Sequence, residues 1–302
     1  VRRWRVFRVI SVLIAVMGLE VGLGCIDPPM SWTAGSFDGH RYSLRLWKWL
    51  DHLSGGEFNR YGYRDVDWAQ STSSPRAAFL GDSRMYGLYV EADESIPSRL
   101  RAHAAGWEGM NFGLVGTTPV ELLDHMLDDV LEFQPSAAII SVDINSSVLG
   151  LACRREFSRW DNTGTNLLRS SSILRWSDLA WRAWRSGGRR VRVQELDTYG
   201  TDLSSTLVRL QEAGVGRRVV LVGWTPMPAI EGLWDPETYD RYRTQSRATG
   251  RAHGATVVEV EALLAGMPHA DAFVGPGLHY SAAASDRIAA GVATVLAGGE
   301  GS

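Results

Sequence analysis

The chain has 302 residues, 45% hydrophobic and 22% charged, with a formal net charge of −3. That is enough for one large domain with a proper core, and it excludes a largely disordered chain. The mild negative charge excludes nucleic acid as a partner, and the arginine bias (Lys48 is the sole lysine) reads as composition rather than phosphate recognition. The two cysteines, Cys25 and Cys153, form no metal-like cluster, so a Cys-rich zinc site is excluded; a disulfide between them and two free thiols both fit.

Residues 1–25 read as a signal anchor or a cleaved signal peptide. Arg2, Arg3, Arg5 and Arg8 precede an apolar run from Val9 to Leu19, which Glu20 interrupts and Val21 to Gly24 continue. A basic segment before an apolar core marks export, with the arginines cytoplasmic, residues 6–24 in the membrane and the remainder in the cell envelope or beyond. The run is short for a full span and Glu20 is costly in lipid. Val21 to Cys25 faintly suggests a lipoprotein cleavage site, with Gly22 where a larger aliphatic belongs. The competing reading is an N-terminal helix buried against the domain.

Residues 26–75 are rich in Gly, Ser, Pro and aromatics, and Trp32, Trp47 and Trp49 suggest an extension packed over the main domain. From residue 76 the pattern becomes regular and predicts a domain over 76–297. Arg76 to Leu80 predicts a short buried strand ending at Gly81, and Glu94 to Ala105 a helix. A second strand, Gly109 to Phe112, precedes Gly113 and Gly116. Thr118 and Glu121 have capping-box spacing and open a helix to about Phe133; Ala137 to Val142 is a third strand. Residues 150–198 carry Arg and Trp clusters and read as a helical insertion. Then follow a helix over Thr201 to Ala213, a strand over Arg218 to Val222, a helix over Tyr239 to His253, a strand over Thr256 to Val260 and a closing helix over Ser281 to Ala297. Residues 298–302 read as a tail. Alternating strands and helices of this length predict an α/β fold: a three-layer α/β/α sandwich around a mainly parallel five-stranded sheet.

In such a sheet ligands bind beyond the carboxyl ends of the strands. The first strand ends in Gly81-Asp82-Ser83. A serine there faces the crevice, and a following helix N-terminus favours developing negative charge, although Asp82 or Ser83 as a plain helix cap also fits. The second strand ends in Asn111-Phe-Gly-Leu-Val-Gly116, where glycines let backbone N–H groups approach a ligand or simply make the turn. The third ends in Asp143-Ile-Asn145-Ser146; the amide of Asn145 can donate to an oxyanion or form an Asx-turn. His279 lies in Gly275-Pro-Gly-Leu-His-Tyr280, just before the last helix, where a Gly/Pro turn frees it to act as a base.

Together these elements resemble the SGNH/GDSL hydrolase superfamily. The matched blocks are Phe79-Leu-Gly-Asp-Ser83, Asn111-Phe-Gly-Leu-Val-Gly116, Val142-Asp-Ile-Asn145 and Leu278-His279, and the resemblance covers residues 57 to 297. Phe58-Asn-Arg-Tyr-Gly-Tyr-Arg64 also looks like the segment that leads into the first block in membrane-anchored bacterial members. The resemblance implies a flavodoxin-like layering, Ser83 as nucleophile and His279 as its base. It implies an oxyanion hole made by the backbone N–H groups of Ser83 and Gly116 and the side chain of Asn145, with Gly116 fitting the family's spacing better than Gly113. No metal or organic cofactor is implied.

Two departures stand out. Members usually carry an Asp three residues before the histidine, and that position is Pro276 here. Asp271 is the nearest upstream acid and would serve if the loop folds back; otherwise Ser83 and His279 would act as a dyad with a backbone carbonyl holding the imidazole. Ser146 also stands where many members have Asp after the Asn. A further cluster, Trp176, Trp181, Trp184, Arg182, Arg185, Arg189 and Arg190, reads as a helix packing its Trp face on the domain in preference to a lid touching lipid or glycan. The expected activity is ester cleavage or acyl transfer of a small acyl group, acetyl first, on an envelope carbohydrate or lipid. A non-catalytic envelope protein that binds acylated glycans is the alternative that Pro276 motivates.

Overall fold

The computed structural model describes residues 11–12, 14–19, 55–69, 72–151, 173, 177, 180–181, 184–185, 187, 190–224, 234–275 and 277–298. Cys25, Cys153, Glu20, the tryptophans at 32, 47, 49 and 176, and Pro276 lie outside them. In chain order the elements are β1 (Arg76–Gly81), α1 (Ser83–Tyr86), α2 (Ile96–His103), β2 (Glu108–Gly113), α3 (Pro119–Glu121), α4 (Leu127–Glu132), β3 (Ala137–Ser141), α5 (Asp143–Ser147), β4 (Leu149–Leu151), β5 (Arg190–Arg192) and α6 (Leu196–Glu212). After these come β6 (Arg217–Val222), α7 (Pro236–Ala252), β7 (Thr256–Glu259), α8 (Val260–Leu263), α9 (His269–Ala272), β8 (Phe273–Val274), β9 (His279–Tyr280) and α10 (Ala282–Ala297).

The main sheet has five strands in the order β2-β1-β3-β6-β7, every neighbouring pair parallel. The first connection runs outward to β2 and the next returns past β1 to β3. The order therefore reverses at the β1/β3 boundary, which is where such sheets open a crevice at their carboxyl ends. Each strand alternates its side chains between two apolar layers. Ala78, Leu80, Met110, Phe112 and Ile140 pack beneath α4 and α6, whereas Ala77, Phe79, Ile139, Val219 and Leu221 pack beneath α2 and α10. Side chains of this size contribute about 1.5–3 kcal/mol each when fully buried, so a one-residue slip that exchanged the layers is heavily disfavoured. On β2 the second layer is opened by glycine. A Cβ on Gly109 would lie 2.2 Å from the Pro97 carbonyl oxygen, and one on Gly113 would lie 2.2 Å from Tyr86 N. These two positions let α2 and α1 press directly on the strand.

The segment over residues 55–69 covers the β2 edge. Trp68 is fully buried between Tyr61, Tyr63, Phe112 and Phe133, with its ring 4.8 Å from that of Phe112. Asp65 Oδ2 accepts from the backbone N–H of Asn111 and from Trp68 Nε1, both at 2.9 Å, which satisfies an edge-strand donor. Arg64 is clamped by Glu57 at 2.7 Å and donates to the Gly87 and Val90 carbonyls at 2.5 and 2.7 Å.

Several boundaries differ from the sequence expectation. Helix α6 begins at Leu196, five residues before the expected Thr201. The reason is Gly200, which sits inside the helix where a Cβ would lie 2.4 Å from Gln245 Nε2 of α7, so it serves close helix packing and not a break. The helix expected from Thr118 to Phe133 is interrupted by a π-helical turn at Leu122–Met126. Most of the insertion lies outside the described residues; its ends are the antiparallel ribbon of β4 and β5. Helical backbone is present at 173, 177, 180–181 and 184–185. The expected packing of the Trp face fails there: Trp181 and Trp184 are 49% and 78% exposed, with the Arg185 guanidinium 5.0 Å from the Trp181 ring.

Residues 11–12 and 14–19 are helical, and Val12, Ile14, Val16, Met17 and Leu19 are all exposed. A helix buried on the domain is thus not found over these residues. Among the described residues no helix is long and apolar enough to cross a membrane.

Candidate active site

The carboxyl ends of β1 and β3, either side of the reversal point, lead into Ser83 and Asn145, while Gly116 follows β2 and His279 lies in β9. Ser83 is the first residue of α1, a helix of four residues that exists because Asp82 caps it: Asp82 Oδ1 accepts from Arg84 N at 2.9 Å. Gly87 closes the helix in the left-handed conformation. Ser83 and His279 are both buried, and Ser83 Oγ lies 3.0 Å from His279 Nε2. The pairing joins residues 196 positions apart in the chain. His279 is presented by the two-stranded ribbon of β8 and β9, in which it pairs with Val274.

Asn145 lies in α5, and its Nδ2 donates to the Thr117 carbonyl at 3.2 Å. The amide therefore stands against the loop that follows β2. In that loop Gly116 adopts φ 82°, a conformation that favours glycine. Gly113 has a different task, the close contact with α1 described above.

Asp271 is not brought to the histidine. Its side chain is exposed, and its backbone carbonyl accepts a hydrogen bond from Ser281 Oγ. His279 Nδ1 makes no hydrogen bond to it, so the expectation of Asp271 as the orienting acid is corrected. His279 Nδ1 is buried and meets no hydrogen-bond partner among the described residues, so the backbone carbonyl expected for a dyad is not found among them either. The tautomer that leaves Nε2 free to accept a proton puts the ring hydrogen on Nδ1, where it goes unmatched. Burial, with a smaller contribution from the Arg84 charge, lowers the His279 pKa to about 4. The ring of Tyr89 stands edge-on to the imidazole, with centroids 5.0 Å apart. Tyr89 has φ 74°, uncommon for a non-glycine residue, and its ring occupies the space that a Cβ on Gly275 would need.

Beneath this pair is a buried charged cluster that sequence reasoning missed. Arg84 Nη2 lies 3.1 Å from Asp82 Oδ2 and 2.5 Å from Asp143 Oδ1, and all three side chains are essentially inaccessible. Asp143 Oδ1 accepts from Tyr239 OH at 3.2 Å and Oδ2 accepts from Gly223 N at 2.7 Å. Arg84 Nη1 donates to the hydroxyls of Tyr239 and Tyr280 at 3.3 and 3.5 Å. Burial works against the Arg84 charge, but Asp82, Tyr239, Tyr280 and Asp143 together outweigh it and hold the pKa well above the ordinary value. Burial pushes Asp82, Tyr239 and Tyr280 upward, so both phenols are neutral hydrogen-bonding groups. Removing one member of such a cluster leaves an uncompensated charge, at a cost of about 3–5 kcal/mol.

A cleft of about 620 Å³ is walled by Tyr89 and Val274, with Glu94, Asp271 and Arg287 on its sides; it reaches the ring of Tyr89 that stands against His279, and is not lined by Ser83 or His279 themselves. No group of three or more His, Cys, Asp or Glu side chains suited to a metal ion occurs among the described residues. The arrangement can deprotonate a hydroxyl at Ser83 and receive negative charge near Asn145.

A parallel five-stranded sandwich with a Ser–His pair at its reversal point defines the class: an α/β hydrolase of the SGNH type. The chain belongs to the GDSL-like lipase/acylhydrolase family, whose model it matches over residues 79–287, and so stands among the hydrolases that act on esters. No curated protein matches it. Among solved structures it is similar to LAE5, an α/β hydrolase enzyme from the metagenome of Lake Arreo, with 18% identity over 77% of this chain and 98% of that one and a TM-score of 0.50. It is also similar to Axe2, an acetylxylan esterase from Geobacillus stearothermophilus, with 16% identity, 77% and 97% coverage and a TM-score of 0.48. For the psychrotrophic esterase EstA from Pseudoalteromonas sp. the values are 12%, 74% and 98%, and 0.48.

Proposed function

We propose that the protein is an exported serine esterase that removes small acyl groups, acetyl first, from an envelope carbohydrate or lipid through an acyl-Ser83 intermediate. The observation that carries this reading is the 3.0 Å approach of Ser83 Oγ to His279 Nε2 at the β1/β3 reversal point. In the first step Ser83 Oγ attacks the ester carbonyl carbon while its proton passes to His279 Nε2. The carbonyl oxygen becomes an oxyanion held by the N–H groups of Ser83 and Gly116 and by Asn145 Nδ2. Collapse expels the alcohol, which takes the proton from His279 and leaves acyl-Ser83. Water then attacks with His279 again accepting a proton, and the acid departs as Ser83 is restored. Each oxyanion donor contributes about 3 kcal/mol to the transition state.

The cleft beside Tyr89 favours a hydroxylated alcohol: it offers an exposed ring and, in Glu94 and Asp271, carboxylates that accept hydrogen bonds from hydroxyls. Export and membrane attachment through residues 6–24 are favoured by the four arginines ahead of the apolar run and by the exposed apolar side chains at residues 12–19. Deleting residues 1–30 should release the protein into the soluble fraction; retention on membranes would refute the attachment.

The activity is tested by labelling the folded protein with a serine-reactive fluorophosphonate and mapping the adduct by mass spectrometry. Adduct at Ser83 that disappears in Ser83→Ala and His279→Ala is expected. A folded wild-type protein without adduct refutes the esterase reading and favours the glycan-binding one.

A further inference from the structure

We infer that Arg84 is a positioning residue for the Ser83–His279 pair, taking over part of the restraint that an orienting carboxylate would supply. The inference rests on the reading of Ser83 and His279 as nucleophile and base. The imidazole lacks a partner at Nδ1 among the described residues, so its placement depends on what holds the ribbon that carries it. Tyr280, the neighbour of His279 in β9, is turned inward, and its hydroxyl accepts from Trp224 N at 3.2 Å and meets Arg84 Nη1 at 3.5 Å. The guanidinium also lies 5.7 Å from the Tyr280 ring centre. Ser83 is restrained from the other direction, because Arg84 is its chain neighbour and both Arg84 N and Arg84 Nη2 bond Asp82.

One planar group thus spans the two halves of the pair. The forked geometry is what allows it: Nη2 binds carboxylates from the ends of β1 and β3 while Nη1 binds phenols from α7 and β9. A lysine would carry the charge on a single nitrogen and could not span these partners. Gly223 confirms that the site is shaped for the fork, since a Cβ there would lie 2.1 Å from Nη1.

The test compares Arg84→Lys and Tyr280→Phe with the wild type. Folding is checked by circular dichroism, and the readouts are the fluorophosphonate labelling rate at Ser83, kcat and KM for 4-nitrophenyl acetate, and the ¹⁵N–¹H signals of the His279 ring. We expect Arg84→Lys to lose about tenfold or more in labelling rate and kcat with KM nearly unchanged, and Tyr280→Phe to lose less in the same direction. Both should shift or broaden the His279 ring signals. Folded variants with wild-type rates and unchanged ring signals overturn the inference, since a purely structural role would lower only the melting temperature. Should Arg84→Lys fail to fold, Tyr280→Phe decides alone. Should the wild type itself not label, the esterase reading fails separately, and the ring signals of the variants still decide the positioning role.

Discussion

Gly223 and Arg84 are complementary in shape: the hydrogen on Gly223 Cα leaves room for a guanidinium nitrogen that any side chain at 223 would displace. The same residue donates its N–H to Asp143 Oδ2, so one position serves both the space and the charge of the cluster. Gly223→Ala should therefore destabilise by about 1–3 kcal/mol, the usual range for overpacking. Urea denaturation will measure it, and a change below about 0.5 kcal/mol would show that the cluster yields easily.

The His279 pKa of about 4 sets a pH dependence whose sign can be worked out. The folded protein holds this imidazole neutral between about 4 and its ordinary value of 6.5, whereas the unfolded chain takes up a proton there. Stability from this group is complete above pH 6.5 and is lost as pH falls towards 4, by an amount on the order of 3 kcal/mol. Urea midpoints at pH 7.5 and 4.5, for wild type and His279→Gln, should differ in slope with pH. The acidic limb of kcat/KM should fall near pH 4, and a limb near 6.5 would contradict the burial of the ring.

Pro276→Asp restores an acid at the position where the family pattern has one, a position outside the described residues. A carboxylate reaching Nδ1 would satisfy the ring N–H and make Nε2 a stronger base. We expect kcat to rise and the acidic limb to move upward from about 4; an unchanged profile would mean that position 276 does not reach the ring.

Asn145→Ala removes the one side-chain donor proposed for the oxyanion. kcat should fall by about 10²–10³ with KM little altered, a loss near 3 kcal/mol. A rise in KM alone would assign Asn145 to substrate binding or to holding the Thr117 loop.

Tyr89→Gly relieves the positive φ while deleting the ring beside His279. The melting temperature should hold or rise, as about 1 kcal/mol of backbone strain is released, while turnover of acetylated sugars falls several-fold. Unchanged turnover would remove Tyr89 from the substrate path.

The five strands were legible because a buried parallel strand is a continuous apolar run, as in Ala137-Ala-Ile-Ile140. Ser83, Asn145 and His279 were singled out through the resemblance of their blocks to the SGNH/GDSL pattern, and the structure brings Ser83 and His279 together. The charged cluster was not. Its partners lie 59, 155 and 196 residues apart, and a charged residue is ordinarily read as exposed. One signal was available: Asp82 and Asp143 stand just beyond strands whose inner residues, Ala77 to Leu80 and Ala137 to Ile140, are apolar and buried, a place where a carboxylate needs a buried partner. Asp271 was chosen by closeness in sequence, which says nothing of direction, and it makes no hydrogen bond to His279 Nδ1. The helix was expected only from Thr201, because the packing partner that explains a glycine at 200, Gln245, belongs to another helix.

The ribbon of β4 and β5 has a consequence for variation. Its strands run side by side at about 4.8 Å, so Leu151 and Arg190, the two ends of the intervening stretch, are held next to each other. Residues 152–189 can therefore be lengthened, trimmed or exchanged without altering any distance that the sheet must bridge. The junction is also local to the chemistry, because Arg192 Nη1 donates to the Ser147 carbonyl at the end of the helix that carries Asn145. Both ends of residues 152–189 are thus fixed beside the helix that carries Asn145, so a change of length between them leaves that helix and the sheet in place.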